Sequence, residues 1–376
     1  MGPLQGFKII EIAGIGPGQF CGMLLADMGA EVLRLERPDV GDLGVVMPAK
    51  FNLMNRSRPA IAIDLKTEQG TELVRRLCEE ADAIFEGYRP GVMERLGLGP
   101  DACMARNPKL VYGRMTGWGQ DGPWAHAAGH DPNYIGLAGA LGCIGEKDGD
   151  PVYPLNLIGD FGGGGAYLTM GMLAAMLEAS KSGKGQVVDA AMVDGVSSLM
   201  TFFYGLAAGG MWSEERGSNI LDGGAPFART YRTKDDKHVV IGPIENRFFR
   251  ELLAKLDIKD IDPKRQHDRS YWPEMGEKLA TVFRTKTRLE WSQILGGTDS
   301  CYAPVLSLSE APQHPHNRAR KTHVTVGGIE QPAPAPRFSR TPSEIQCPPM
   351  DLQPATPILR RWGLSAGEIQ DLALQP

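Results

Sequence analysis

Residues 8–36, KIIEIAGIGPGQFCGMLLADMGAEVLRLE, constrain the fold of this chain more than any other stretch. KIIEI (8–12) reads as a buried strand and AGIGPG as a turn, the apolar run to Met28 as a helix stopped by Gly29, and EVLRLE (31–36) as the next strand. Two strands joined through a helix run parallel, and a parallel sheet needs helices over both of its faces. The pattern then repeats, with a helix from about Thr67 to Asp82, strand AIFE (83–86), a short helix and LVYGRM (110–115). The prediction is an α/β fold on a parallel sheet.

At 376 residues the chain exceeds what one core usually serves, so two domains are expected. A large α/β domain is predicted over 1–200, where GDFGGGGAYLTMGMLAAMLEASKSGKG forms a glycine-opened helix stopped by Gly183 and QVVDAAM (186–192) follows as strand or helix entry. Residues 201–230 turn charged and turn-rich and read as a connector. A small α/β domain follows over 231–326, with strand HVVIGPI (238–244), a helix from Arg247 to Leu256, and a TxxE capping box at Thr287 and Glu290 for a helix ending near Gly296. Residues 327–376 are predicted to return to the large domain, extended and proline-rich from Gln331 to Pro357, with a short final helix from Ser365.

Forty Lys and Arg against 45 Asp and Glu leave a formal charge of −5, so no overall positive field draws the chain to nucleic acid or anionic lipid. Any anionic ligand must be held locally. The start MGPLQGFKIIEI has no basic segment followed by a long apolar run, and no stretch reaches the roughly 20 apolar residues of a membrane span. Cys21, Cys78, Cys103, Cys143, Cys301 and Cys347 are scattered without a CxxC pair, which suits reduced thiols and a cytoplasmic location.

Gly14, Gly16 and Gly18, with Glu36 ending the next strand, invite a dinucleotide reading, but the spacing is GxGxG and Pro17 removes a donor where a phosphate needs one. A tight strand-to-helix turn is the expectation. His126 and His130 stand four apart with Asp131 adjacent, a metal-ligand spacing on a helix, yet Gly129 and Pro132 argue against a helix there and no metal is expected. Asp160 stands where a helix N-cap belongs. The four glycines after Phe161 weaken a helix by roughly 1 kcal/mol each relative to alanine, so close packing or close approach of a ligand must justify them. RSRPAIAIDLK (56–66) and EGYRPGVMERLG (86–97), where Arg89 and Arg95 flank a turn and a helix start, suit an anion such as phosphate as well as a solvated surface.

The strings AGIGPG, ADMGAEVLRLERP, IDLK, EGYRPGVMERLGLGP, MTGWGQDGP, GHDPNY, NLIGDFGGGG, GKGQVVDAAMVDG and APRFSRT follow one another in order. Together they resemble the alpha-methylacyl-CoA racemases of the family III CoA-transferase superfamily, from the first strand to the final helix. The resemblance implies the family III fold, with a Rossmann-like large domain, a smaller α/β domain and an interlocked homodimer in which His130 and Glu245 meet across chains. It implies an acyl-CoA thioester substrate and no cofactor, CoA being part of the substrate. His130 and Asp160 are implied as opposed acid/base groups, with Glu245 pairing with His130. Arg37, Ile63, Lys66, Gly87, Tyr88, Arg89 and Arg95 would surround CoA, while Gly129 to Tyr134, Asp131 and Asn133 included, would line the thioester and pantetheine. Pro132 departs from the isoleucine common in that loop.

Such chemistry suits these residue types. Inverting a carbon beside a thioester carbonyl means removing a proton from one face and returning one to the other, which calls for two bases. The enolate between them needs donors already aimed at its oxygen, and a helix opened by Asp160 would supply backbone N–H groups. Met192, Met200 and Met211 are candidates for an adaptable acyl surface. Two alternatives stay open: a CoA transferase in which Asp160 attacks the thioester, and a CoA-thioester binding protein without chemistry.

Overall fold

The computed structural model describes residues 2–39, 45 and 47–371. The elements run β1 (Lys8–Ile12), α1 (Pro17–Asp27), β2 (Glu31–Glu36), β3 (Ala60–Ala62), α2 (Glu68–Cys78), β4 (Ala83–Glu86), α3 (Val92–Arg95), α4 (Pro100–Arg106), β5 (Val111–Thr116) and α5 (Asp131–Leu137). A π-helical segment (Leu157–Ala166) leads directly into α6 (Tyr167–Ser182), followed by β6 (Val187–Ala191) and α7 (Met192–Leu199). Then come α8 (Thr201–Ala208), β7 (Arg229–Arg232), β8 (His238–Ile241), α9 (Asn246–Lys255), α10 (Trp272–Phe283), α11 (Arg288–Leu295), β9 (Tyr302–Pro304) and α12 (Pro315–Arg320). A hairpin of β10 (His323–Val326) and β11 (Ile329–Pro332) precedes α13 (Ala355–Arg361) and α14 (Ala366–Asp371).

Two compact units emerge, one from residues 1–138, 155–200 and 320–376, the other from 139–154 and 201–319. In the first, six parallel strands lie in the order β3-β2-β1-β4-β5-β6. Ile9 and Ile10 are both fully buried on opposite faces: Ile10 packs with Leu33, Leu73, Leu77 and Trp362, Ile9 with Leu25, Val32, Phe85 and Leu168. The chain runs outward from β1 through β2 to β3, then returns to place β4 on the other side of β1. Open α/β sheets bind ligands outside the carboxyl ends of their strands at such a reversal.

Charge is also buried in this unit. Arg58 pairs with Glu11 of β1, and the Cβ of any larger residue at Gly22 would overlap that pair. Arg56 holds Asp27 at 2.5 Å and donates to the side chain of Gln331 at 3.1 Å, tying the C-terminal segment to α1. That tie, with the Gly327-Gly328 turn at positive φ, explains why the first unit resumes at residue 320 rather than 327.

The second unit is a three-stranded antiparallel sheet, β7-β8-β9, around a core of Phe227, Phe249, Trp272, Phe283 and Trp291. The capping box forms as expected: Thr287 accepts from Glu290 N–H and returns its own N–H to the Glu290 carboxylate at 2.7 Å. Residues 201–230 are more than a connector, since they open with a helix and join this unit. Residues 139–154, expected in the large domain, belong here as well, and Arg216 donates to Gly142 O at 3.0 Å.

Candidate active site

The residues expected around CoA line the carboxyl edge of the sheet. Arg37 directly follows β2, Ile63 directly follows β3 and Gly87 directly follows β4. Arg37, Lys66, Gly87, Arg89 and Arg95 are exposed, Tyr88 is half-buried, and Ile63 is buried. Arg37 lies close enough to Tyr88 for its charge to act on the phenol, and Arg89 does the same to Tyr134. Arg95 folds back toward Gly91, which stands at φ +78 before α3. Arg37, Tyr88 and Arg89 thus stand near one another although they come from the separate loops after β2 and β4, with Arg95 at the end of α3.

His130 is the extended residue before α5, its backbone N–H donating to Asn133 Oδ1 at 2.9 Å and its ring exposed. Pro132 falls in the first helical turn, where a missing N–H costs nothing, so its departure from isoleucine is accommodated. Gly129 cannot carry a side chain, because a Cβ would stand 2.8 Å from Tyr134 and 2.9 Å from Trp118. Tyr134 donates its hydroxyl to Gly129 O, and burial, assisted by the Asp160 charge, pushes its phenol up to about 12. Trp118, Trp124, Ala127, Ala128, Pro132 and Leu137 line a shallow, open and mostly apolar depression beside this loop.

Asp160 does not open its helix as expected. The helix begins at Leu157 in π form, and the Asp160 N–H donates to Asp131 Oδ2 at 2.7 Å. Asp131 is 1% exposed, and a Cβ at Gly159 would stand 2.6 Å from its Oδ2. One carboxylate oxygen of Asp131 is therefore engaged by the Asp160 backbone N–H. Burial raises the Asp131 carboxyl, and the nearby Asp160 charge adds to the shift.

The Asp160 carboxyl is likewise raised, chiefly by burial, against the Asn156 amide at 3.0 Å and the neighbouring charge of His130. His130 and Asp160 are thus electrostatic neighbours although they stand 30 positions apart in sequence. Asn156 was not singled out from sequence; its place four residues before Asp160 in NLIGD is the only local signal. Gly16 supplies another wall, since a Cβ there would stand 2.9 Å from Asp160 Oδ2.

The glycines after Phe161 answer to packing. A Cβ would meet Val196 N at 2.7 Å from Gly163, Pro17 Cβ at 2.9 Å from Gly164, and Pro17 O at 2.6 Å from Gly165. Helices α1 and α7 close on the π segment only because those side chains are missing. Met192 is buried in the core, Met200 half-buried and Met211 exposed. Glu245, in the second unit, is exposed immediately before α9, where its charge reinforces the effect of burial in raising the Cys301 thiol.

Residues 4–352 match the sequence model of CoA-transferase family III. The chain belongs to that family. It is 44% identical to the alpha-methylacyl-CoA racemase of Mus musculus and 40% identical to that of Homo sapiens, in each case over 98% of this chain and 96% of the relative. The succinyl-CoA:glutarate CoA-transferase of Mus musculus is 29% identical over 93% of this chain and 84% of its own length. Among solved structures, a CAIB/BAIF family protein from Brucella suis superposes with a TM-score of 0.78 at 25% identity, covering 96% of this chain and 99% of the other.

Within this family III chain, the site offers a half-buried carboxyl raised by desolvation, an exposed imidazole beside it, and a rim of arginines at the end of the sheet. That set can move a proton next to an anchored anionic ligand. Among the described residues no helix is long and apolar enough to cross a membrane.

Proposed function

We propose that this protein is a racemase that inverts the α-carbon of 2-methylacyl-CoA thioesters by proton transfer through an enolate. The observation that carries this reading is the 44% identity, over nearly the whole chain, to an alpha-methylacyl-CoA racemase. In the proposed reaction the His130 imidazole takes the α-proton from one face, and the Asp160 carboxylic acid returns a proton to the other. The reverse direction exchanges the roles, so each cycle ends with both groups able to react again. Burial of Asp160 supports this division, because a raised carboxyl holds its proton nearer neutrality and can donate it.

Glu245 would fix the His130 tautomer and stabilise the imidazolium, and the working form would be an interlocked homodimer in the cytoplasm that uses no cofactor beyond the CoA of its substrate. Arg37, Lys66, Arg89 and Arg95 would hold the phosphates of CoA, with Ile63, Gly87 and Tyr88 beside them, while Gly129, Asn133 and Tyr134 line the pantetheine. The open apolar surface near Trp118 suits a hydrocarbon acyl group.

The test uses a single-enantiomer 2-methylacyl-CoA in deuterated water. Inversion with α-deuterium uptake, lost in His130→Ala and Asp160→Ala while CoA still binds, is the expected result. CoA passing to an added carboxylic acid without exchange would replace this reading with a transferase using Asp160 as nucleophile, and binding with neither outcome would leave a non-catalytic CoA-thioester protein.

A further inference from the structure

Between β4 and α3 the chain passes through Gly87-Tyr88-Arg89-Pro90-Gly91, and a single guanidinium reaches both ends of that loop. Glu86, the last residue of β4, is 1% exposed, and one carboxylate oxygen takes the Tyr88 N–H at 2.6 Å. Its other oxygen lies 3.4 Å from Nε of Arg114 on β5. The same Arg114 places Nη2 2.7 Å from Oε1 of Glu94 on α3, beyond the loop. Arg114 is itself only 10% exposed, and its guanidinium lies 6.0 Å from the Tyr112 ring centroid.

We propose that Arg114 is a positioning residue which, by bridging Glu86 and Glu94, holds the Gly87–Gly91 loop in the form that binds CoA. The inference rests on the reading that Tyr88 and Arg89 contact CoA. None of the three bridging side chains was among the expected site residues. Their geometry accounts for how a five-residue loop with a glycine at each end keeps Tyr88 near Arg37 and Arg89 near Tyr134. A planar fork meets two carboxyl groups at once, whereas an ammonium is a point donor, so lysine at 114 keeps the charge and loses the bridge. Because the loop carries groups assigned to CoA and neither His130 nor Asp160, loosening it weakens binding before it disturbs proton transfer.

Calorimetric titration with CoA itself, together with KM and kcat for α-proton exchange, tests this in the unmodified protein, Arg114→Lys and Glu94→Gln. Arg114→Lys should raise the CoA Kd and the KM about tenfold, the equivalent of about 1.4 kcal/mol, while kcat changes much less. Glu94, 45% exposed, can be changed with little risk to folding, and Glu94→Gln should shift Kd and KM in the same direction to a smaller extent. Unaltered CoA affinity in Glu94→Gln, or a fall confined to kcat in Arg114→Lys, would overturn the proposal while leaving the racemase reading intact. Failure of the unmodified protein to bind CoA would instead remove that reading, and this inference with it.

Discussion

Gly16→Ala adds a single carbon beside the Asp160 carboxylate and so separates folding from chemistry. Gly16 stands at φ +60 and ψ −111, a conformation that costs an L side chain about 1–3 kcal/mol. The new Cβ would lie 2.9 Å from Asp160 Oδ2 and 3.4 Å from its Cγ. Carbon and oxygen settle nearer 3.5 Å, so the carboxylate must retreat by about 0.5 Å. It can do so, being the mobile end of a side chain, and the fold survives. The proposed chemistry does not, because displacing by about 1 Å a group that reacts as proposed lowers a rate by roughly a hundredfold, and half that distance should lower α-proton exchange by about tenfold. The assay is deuterium incorporation into a single-enantiomer 2-methylacyl-CoA, followed by mass spectrometry beside a melting curve and a CoA titration. Expected are a melting point lower by several degrees, CoA affinity largely kept and exchange clearly slowed. Undiminished exchange in a folded Gly16→Ala protein would refute the claim that this carboxylate acts from the position described.

Three further outcomes follow from the same contacts. Burial lifts Glu86 from 4.5 to about 7 against the Tyr88 N–H and Arg114, so the folded protein keeps a proton that the unfolded chain releases; stability is full below pH 4.5 and falls by about 1.4 kcal/mol per unit as pH rises toward 7. Glu86→Gln abolishes that slope, and urea unfolding at pH 5 and 7.5 should show the variant gaining on its parent by up to about 3 kcal/mol; an equal difference at both pH values would contradict the assignment. Asp131→Ala strands the N–H of Asp160 at roughly 1–3 kcal/mol, whereas Asp131→Asn retains an acceptor, so thermal melts should rank parent, Asn, then Ala, and an Ala variant as stable as Asn would argue against the contact. Gly22→Ala forces a methyl into the buried Arg58–Glu11 pair, at about 3–5 kcal/mol if the pair breaks, and a parent-like melting point would show that the core gives way more easily than this packing implies.

Sequence by itself determined the elements whose causes are local. KIIEI, EVLRLE and AIFE are strands at the expected residues because apolar runs bounded by turns need no distant partner to be read. Thr287 with Glu290, and Ser365 before the last helix, announce helix starts through bonds three residues long. The Gly327-Gly328 hairpin turn was equally legible, though it went unpredicted. His130 and Asp160 were reached through resemblance, since nothing beside either residue distinguishes a reacting group from a loop histidine or a helix cap.

Only the tertiary structure decided what those residues meet. It set the strand order that returns β4 to the side of β1, turned Asp131 inward to the Asp160 backbone N–H, and gave the glycines to helix packing. It also joined Glu86, Arg114 and Glu94 across a loop. The physical reason is range: strand and cap signals rest on torsions and bonds within a few residues, whereas burial of charge and steric fit depend on atoms that approach only after the chain has folded.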